Sequence, residues 1–114
     1  MKIGLIQMEV AGGEKERNIH HAFDLMEQAA PSCDLLVLPE LWTIGYDFRQ
    51  IRTQATRMGD SLVEGLGAFA KYHHITLAAG TLPIVHQGAL YNTALLFGPS
   101  GELQAHYSKR HLFS

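Results

Sequence analysis

Four consecutive apolar residues, Leu35-Leu36-Val37-Leu38, run directly into Pro39 and Glu40. An unbroken apolar run this short reads as a strand covered on both faces, the kind found at the centre of a parallel sheet. The preceding sequence supplies the rest of such a sheet. Lys2 to Met8 is rich in Ile and Leu and reads as a buried strand, and Ala11-Gly12-Gly13 breaks it. Between Glu14 and Ala30 the apolar positions Ile19, Ala22, Phe23, Met26 and Ala30 recur at helical spacing, with Glu14 and Glu16 suited to the positive end of the helix dipole. Pro31 stops that helix. Strand, helix and strand form a βαβ unit, which implies a parallel pair joined by a right-handed crossover. Pro39 then holds Leu38 extended and releases the chain from the sheet at Glu40.

Beyond this unit, Ile51, Ala55 and Met58 predict a short helix. Ser61 with Glu64 has the spacing of a capping box, and Leu62, Leu66, Phe69 and Ala70 give the following helix a buried stripe. Ile75 to Ala79 reads as a strand ended by Gly80. Turn signals at Gln87-Gly88 and Gly98-Pro99-Ser100-Gly101 separate Thr81–His86, Leu90–Phe97 and Leu103–Lys109, an antiparallel meander added to the parallel start. The expected architecture is α/β: one mixed sheet with helices on one face, forming a single domain over residues 1–114. The other face, assigned here to Leu5, Leu36, Leu95 and their neighbours, then needs a second layer that no further helix provides. The apolar final residues, His111-Leu112-Phe113-Ser114, read as an interrupted chain.

Composition narrows the function. A net charge of -2 offers no basic patch for nucleic acid. The longest apolar runs, Leu35–Leu38 and Ala94–Phe97, fall far short of the roughly 20 residues of a membrane helix. The start, Met-Lys, lacks the apolar core of a signal peptide. A single cysteine, Cys33, excludes an internal disulfide and favours a reducing compartment. A cytoplasmic protein is expected.

Two charged residues stand out. Glu40 follows the C-terminal end of a buried strand, where open α/β sheets form their ligand crevice. Flanked by Pro39, Leu41 and Trp42, its carboxyl is placed for the partial desolvation that suits a general base; the competing reading is an exposed loop glutamate. Alternation along Leu103–Lys109 puts Lys109 on one face with Leu103, Ala105 and Tyr107. An inward lysine needs a partner, and Glu40 is the candidate; otherwise Lys109 snorkels to water from the strand end. Asn92 is expected to bond backbone groups within its strand. Tyr46 and Trp42 are candidates to line a pocket mouth or to pack. His20-His21 and His73-His74 are adjacent pairs whose members diverge by about 100° on a helix, so no metal site and no cofactor are expected.

Leu38-Pro39-Glu40-Leu41-Trp42 with Gly45-Tyr46, then Tyr91-Asn92-Thr93-Ala94, then Tyr107-Ser108-Lys109-Arg110-His111-Leu112-Phe113, resemble in order and spacing the nitrilase superfamily of carbon–nitrogen hydrolases. The resemblance covers the whole chain and implies the N-terminal part of a four-layer αββα sandwich with a Glu–Lys–Cys triad. It assigns Glu40 as general base and Lys109 as the oxyanion-stabilising cation; Tyr46 stands beside them as the candidate substrate-binding residue. It places the nucleophilic cysteine beyond Ser114. Cys33 does not substitute, because it stands seven residues from Glu40 at the opposite end of a strand, about 20 Å away. The implied substrate is a small amide, nitrile or N-carbamoyl amine, with a lean to small amides, and the implied complete protein is a homo-oligomer. The alternative is a truncated, non-catalytic module that pairs with a separate C-terminal polypeptide.

Overall fold

The computed structural model describes residues 1–46, 49 and 51–110. Five strands form one sheet in sequence order: β1 (Ile3–Leu5), β2 (Leu35–Val37), β3 (Thr76–His86), β4 (Ala89–Phe97) and β5 (Leu103–Arg110). The first three are parallel and the last two antiparallel, so the mixed sheet expected from the sequence is present. The helices are α1 (Lys15–Ala29), α2 (Ile51–Gln54) and α3 (Ser61–His73). Pro31 sits in a 3₁₀ turn, Ala30–Ser32, immediately after α1.

Helices α1 and α3 lie together on one face. Ala22 and Met26 of α1 and Leu66, Phe69 and Ala70 of α3 enclose the main core with Leu36, Leu77, Leu82, Ile84, Leu95 and Phe97 of the sheet. Phe23 meets Phe69 edge to face at 5.9 Å, and His73 lies 3.5 Å from Glu27, so the two helices also hold one another. A smaller cluster, Ile44, Ile51 and Leu90, closes the far end of β3 and β4.

Several expectations change. Leu36 and Leu95 are buried beneath the helices, and the uncovered side of β1 and β2 is formed by Ile3 and Leu5 with Leu35 and Val37. A four-residue apolar run has no polar alternation to set its phase, so packing sets it. The first strand is shorter than Lys2–Met8 and is not buried: Leu5 is 71 % exposed. On β5 every residue is exposed, including Tyr107 at 72 %.

Gly80 does not end a strand. β3 runs from Thr76 to His86 through an irregularity between Ala78 and Thr81, with Gly80 at φ +60° inside it. This is a bulge in which glycine takes up the left-handed conformation. The capping box is also absent. Asp60 is the N-cap of α3 and makes no side-chain cap bond; its Oδ2 accepts instead from the Arg57 amide at 2.9 Å.

Candidate active site

The bulge in β3 and the loop after β2 are built against each other. A Cβ on Gly80 would lie 2.0 Å from the Pro39 carbonyl oxygen and 2.7 Å from that of Leu38. Only a glycine lets the strand carry Pro39 and Glu40 so close, and its positive φ independently favours glycine.

From Glu40 the chain turns sharply, and four successive residues are tied to four different places. The Leu41 amide donates to Thr81 Oγ1 at 2.9 Å. Trp42 Nε1 donates to the Ala79 carbonyl at 2.8 Å from a fully buried side chain, so Trp42 packs rather than lining a pocket mouth. The Thr43 carbonyl accepts from Asn18 Nδ2 at 2.8 Å, and the Ile44 carbonyl accepts from the Gly13 amide at 2.9 Å. Leu41 itself has φ +50°. An aliphatic residue in that region carries about 1–2 kcal/mol of backbone strain, tolerated where the surroundings over-determine the conformation. Burial of the Leu41 side chain and the bond from its amide to Thr81 supply that determination.

Asn18 is a member of this framework that the sequence reading passed over. It occupies the same helical stripe as Ala22 and Met26, is buried, and bonds both the amide and the carbonyl of Ala11 at 2.8 Å besides Thr43. A lone asparagine within an apolar stripe was the available signal.

The turn brings Tyr46 back to its start. Its hydroxyl donates to Glu40 Oε1 at 3.0 Å. That bond to a carboxylate, with some burial and the carboxylate's charge, raises the Tyr46 hydroxyl pKa above its ordinary 10.0.

Lys109 approaches from across the sheet. Thr81 pairs with Ala94, which pairs with Tyr107; two residues along, Pro83 pairs with Asn92, which pairs with Lys109. Alternation places Thr81, Asn92 and Lys109 on the face away from α1 and α3. From a strand spacing of about 4.8 Å and a rise of about 3.3 Å, the Thr81 and Lys109 backbones stand roughly 12 Å apart. Among the described residues no ion pair joins Lys109 to Glu40, so the partnership expected from the sequence is not a direct contact. Asn92 departs from expectation too: its Oδ1 is buried with no hydrogen-bond partner instead of bonding backbone.

Cys33 stands at the other end of β2 from Glu40, its Sγ against Gly4 and its side chain packed on the main core. Among the described residues no group of three or more His, Cys, Asp or Glu side chains is arranged to hold a metal ion. The segment His111–Ser114, part of the motif read in the sequence, lies outside the described residues. Glu40 and Tyr46 meet in the loop after β2, and a surface hollow lined by Glu9, Asn18, His21 and Asp24 runs along α1.

The fold is a mixed α/β sheet with helices on one side and a strained, multiply anchored glutamate loop at the end of β2. Residues 2–114 match the family model for carbon-nitrogen hydrolase, and the chain belongs to that family. It is 33% identical over 111 residues to the 2-oxoglutaramate amidase of Bacillus subtilis, covering 97% of this chain and 43% of that protein. It is 37% identical over 117 residues to the chloroplastic omega-amidase of Arabidopsis thaliana, covering 97% of this chain and 31% of that protein. A CN-hydrolase superfamily protein from Xanthomonas campestris, solved with an arsenic adduct in its active site, superposes with a TM-score of 0.85 at 28% identity, over 98% of this chain and 41% of that one. An amidase from Nesterenkonia sp. gives 0.75 at 30% identity, over 100% and 44%. The chain spans less than half the length of these relatives.

Proposed function

We propose that the polypeptide containing this chain hydrolyses the carbon–nitrogen bond of a small amide through a Glu–Lys–Cys triad, with Glu40 as general base and Lys109 as the oxyanion-stabilising cation. The reading is supported by the anchoring of the loop that begins at Glu40, tied residue by residue to β3 and α1, and by the strand register that puts Lys109 on the uncovered sheet face. The nucleophilic cysteine belongs to the portion of the relatives' length that this chain does not span. Residues 1–114 are then the first part of one catalytic domain, and a second sheet covers Ile3, Leu5 and Tyr107 to complete an αββα sandwich.

In this mechanism Glu40 takes the cysteine proton and the thiolate attacks the amide carbon. Negative charge moves to the carbonyl oxygen, where the Lys109 ammonium offsets it. The carbon–nitrogen bond breaks as Glu40 returns the proton to the departing nitrogen, leaving a thioester. Water then gives a proton to Glu40 and attacks the thioester, releasing the acid and restoring the thiol. The names of the amidase relatives favour an ω-amide of a short oxo- or dicarboxylic acid over a nitrile or an N-carbamoyl amine. The complete protein is a homo-oligomer that needs no cofactor.

The test is ammonia release by the full-length polypeptide from 2-oxoglutaramate and related ω-amides, compared with nitriles and N-carbamoyl amines. Glu40→Gln is expected to abolish turnover on every substrate. Retained turnover in that variant refutes the triad assignment.

A further inference from the structure

We propose that Tyr46 is a positioning residue for Glu40, its hydroxyl fixing the carboxylate through Oε1 so that Oε2 faces the reacting atoms. This rests on the reading of Glu40 as general base. The two residues are the ends of one tight turn, and the bond between them is 3.0 Å. The backbone between them is held at Leu41, Trp42, Thr43 and Ile44, and the Gly45 amide closes the turn on the Leu41 carbonyl at 2.8 Å. The tyrosine ring is thereby delivered to a fixed place although its side chain is 64 % exposed.

A glutamate carboxylate rotates freely about its last torsion unless something holds it, and its proton transfers need one oxygen aimed at the thiol and then at water. A donor on Oε1 removes that freedom. A phenol suits the task because it stays protonated through the working pH range, and the raised Tyr46 pKa extends that range upward. A lysine in the same place would bring a second positive charge beside the base and compete with the role given to Lys109.

The experiment compares Tyr46→Phe with the wild type in the full-length enzyme, measuring kcat, KM and the thermal midpoint, with the best ω-amide as substrate. The expected result is a fall in kcat of roughly 10- to 100-fold, the scale of a misplaced catalytic group, with KM within about twofold. A merely structural tyrosine lowers the thermal midpoint and leaves the kcat of the folded enzyme in place. A rise in KM with kcat retained makes Tyr46 a substrate contact and overturns the proposal, as does a variant kinetically equal to wild type. Glu40→Gln, run alongside, separates the two levels. If it remains active, the assignment of Glu40 fails and this inference with it; if it is dead while Tyr46→Phe is unaffected, only the inference fails. An unchanged thermal midpoint confirms that Tyr46→Phe is folded, as its exposed position leads one to expect.

Discussion

Asn92 and Lys109 stand opposite each other on β4 and β5, and the asparagine's Oδ1 is buried there without a hydrogen-bond partner. An acceptor left unmatched in a protein interior costs about 1–3 kcal/mol, so this is not where an asparagine would be placed for stability alone. Replacing it with valine, a good strand former, removes the orphan. In the full-length protein Asn92→Val is expected to keep or raise the urea midpoint. A loss above about 1 kcal/mol would show that Oδ1 finds a partner in the complete fold.

Lys109 itself separates stability from chemistry. It is exposed on a fully exposed strand, so its truncation in the 114-residue chain should change stability by no more than about 0.5 kcal/mol. If it stabilises the oxyanion, Lys109→Ala lowers kcat by about 100-fold or more with circular dichroism unchanged. A decrease below tenfold would assign the lysine to structure.

Gly80 is the position where loop and sheet cannot be separated. Alanine there meets the Pro39 carbonyl at 2.0 Å and must also adopt φ +60°. Left-handed strain and overpacking together amount to about 3 kcal/mol. Gly80→Ala should therefore lower the denaturation midpoint and, by pushing Pro39 and Glu40 off the strand, reduce kcat even at temperatures where the protein stays folded. Wild-type turnover in a folded Gly80→Ala protein would disprove the dependence of Glu40 placement on this contact.

How legible this arrangement was from sequence depends on the kind of signal. The run Leu35–Leu38 ending in Pro39-Glu40 located an interior strand and the point where the chain leaves the sheet, because backbone sterics at proline act locally, although one side of that strand is uncovered rather than both being covered. The helical stripe over Ala22 and Met26 was equally plain, yet Asn18 on the same stripe was passed over because its value lies in loop carbonyls met only after folding. Gly80 was taken as a strand end; glycine marks bulges and ends alike, and only the continued pairing of β3 with β4 decides between them. The phase of Leu36 and Leu95 failed for a related reason, since continuous apolar runs hide which side is covered. The left-handed Leu41 and its tie to Thr81, 40 residues away, had no local sequence signal at all.

The uncovered sheet face makes a prediction about the 114-residue chain produced by itself. Ile3 at 57 %, Leu5 at 71 % and Tyr107 at 72 % exposure lie on the side away from α1 and α3, and β5 adds an open strand edge. Apolar faces and free edges of this kind recruit other chains. The isolated chain is expected to bind a hydrophobic dye and to elute above its 12.6 kDa mass, whereas the full-length polypeptide does not bind the dye. A monomeric, dye-silent isolated chain would mean the face needs no cover.

The bond between Tyr46 and Glu40 predicts a titration with a definite sign. Its hydroxyl pKa is raised above 10.0, chiefly because the proton is shared with the Glu40 carboxylate. A group whose pKa is higher in the folded than in the unfolded state holds its proton more tightly when folded. The stabilisation this represents is fully present below about pH 10 and is lost as pH rises through the folded-state value. The phenolate absorbance of Tyr46, isolated as the difference between wild type and Tyr46→Phe, should therefore appear above pH 10. In Glu40→Gln the carboxylate charge is gone and the acceptor is weaker, so the same signal should return toward the ordinary tyrosine range. A Tyr46 titration indifferent to the Glu40 substitution would show that the raised value has another source and that the contact does not persist in solution.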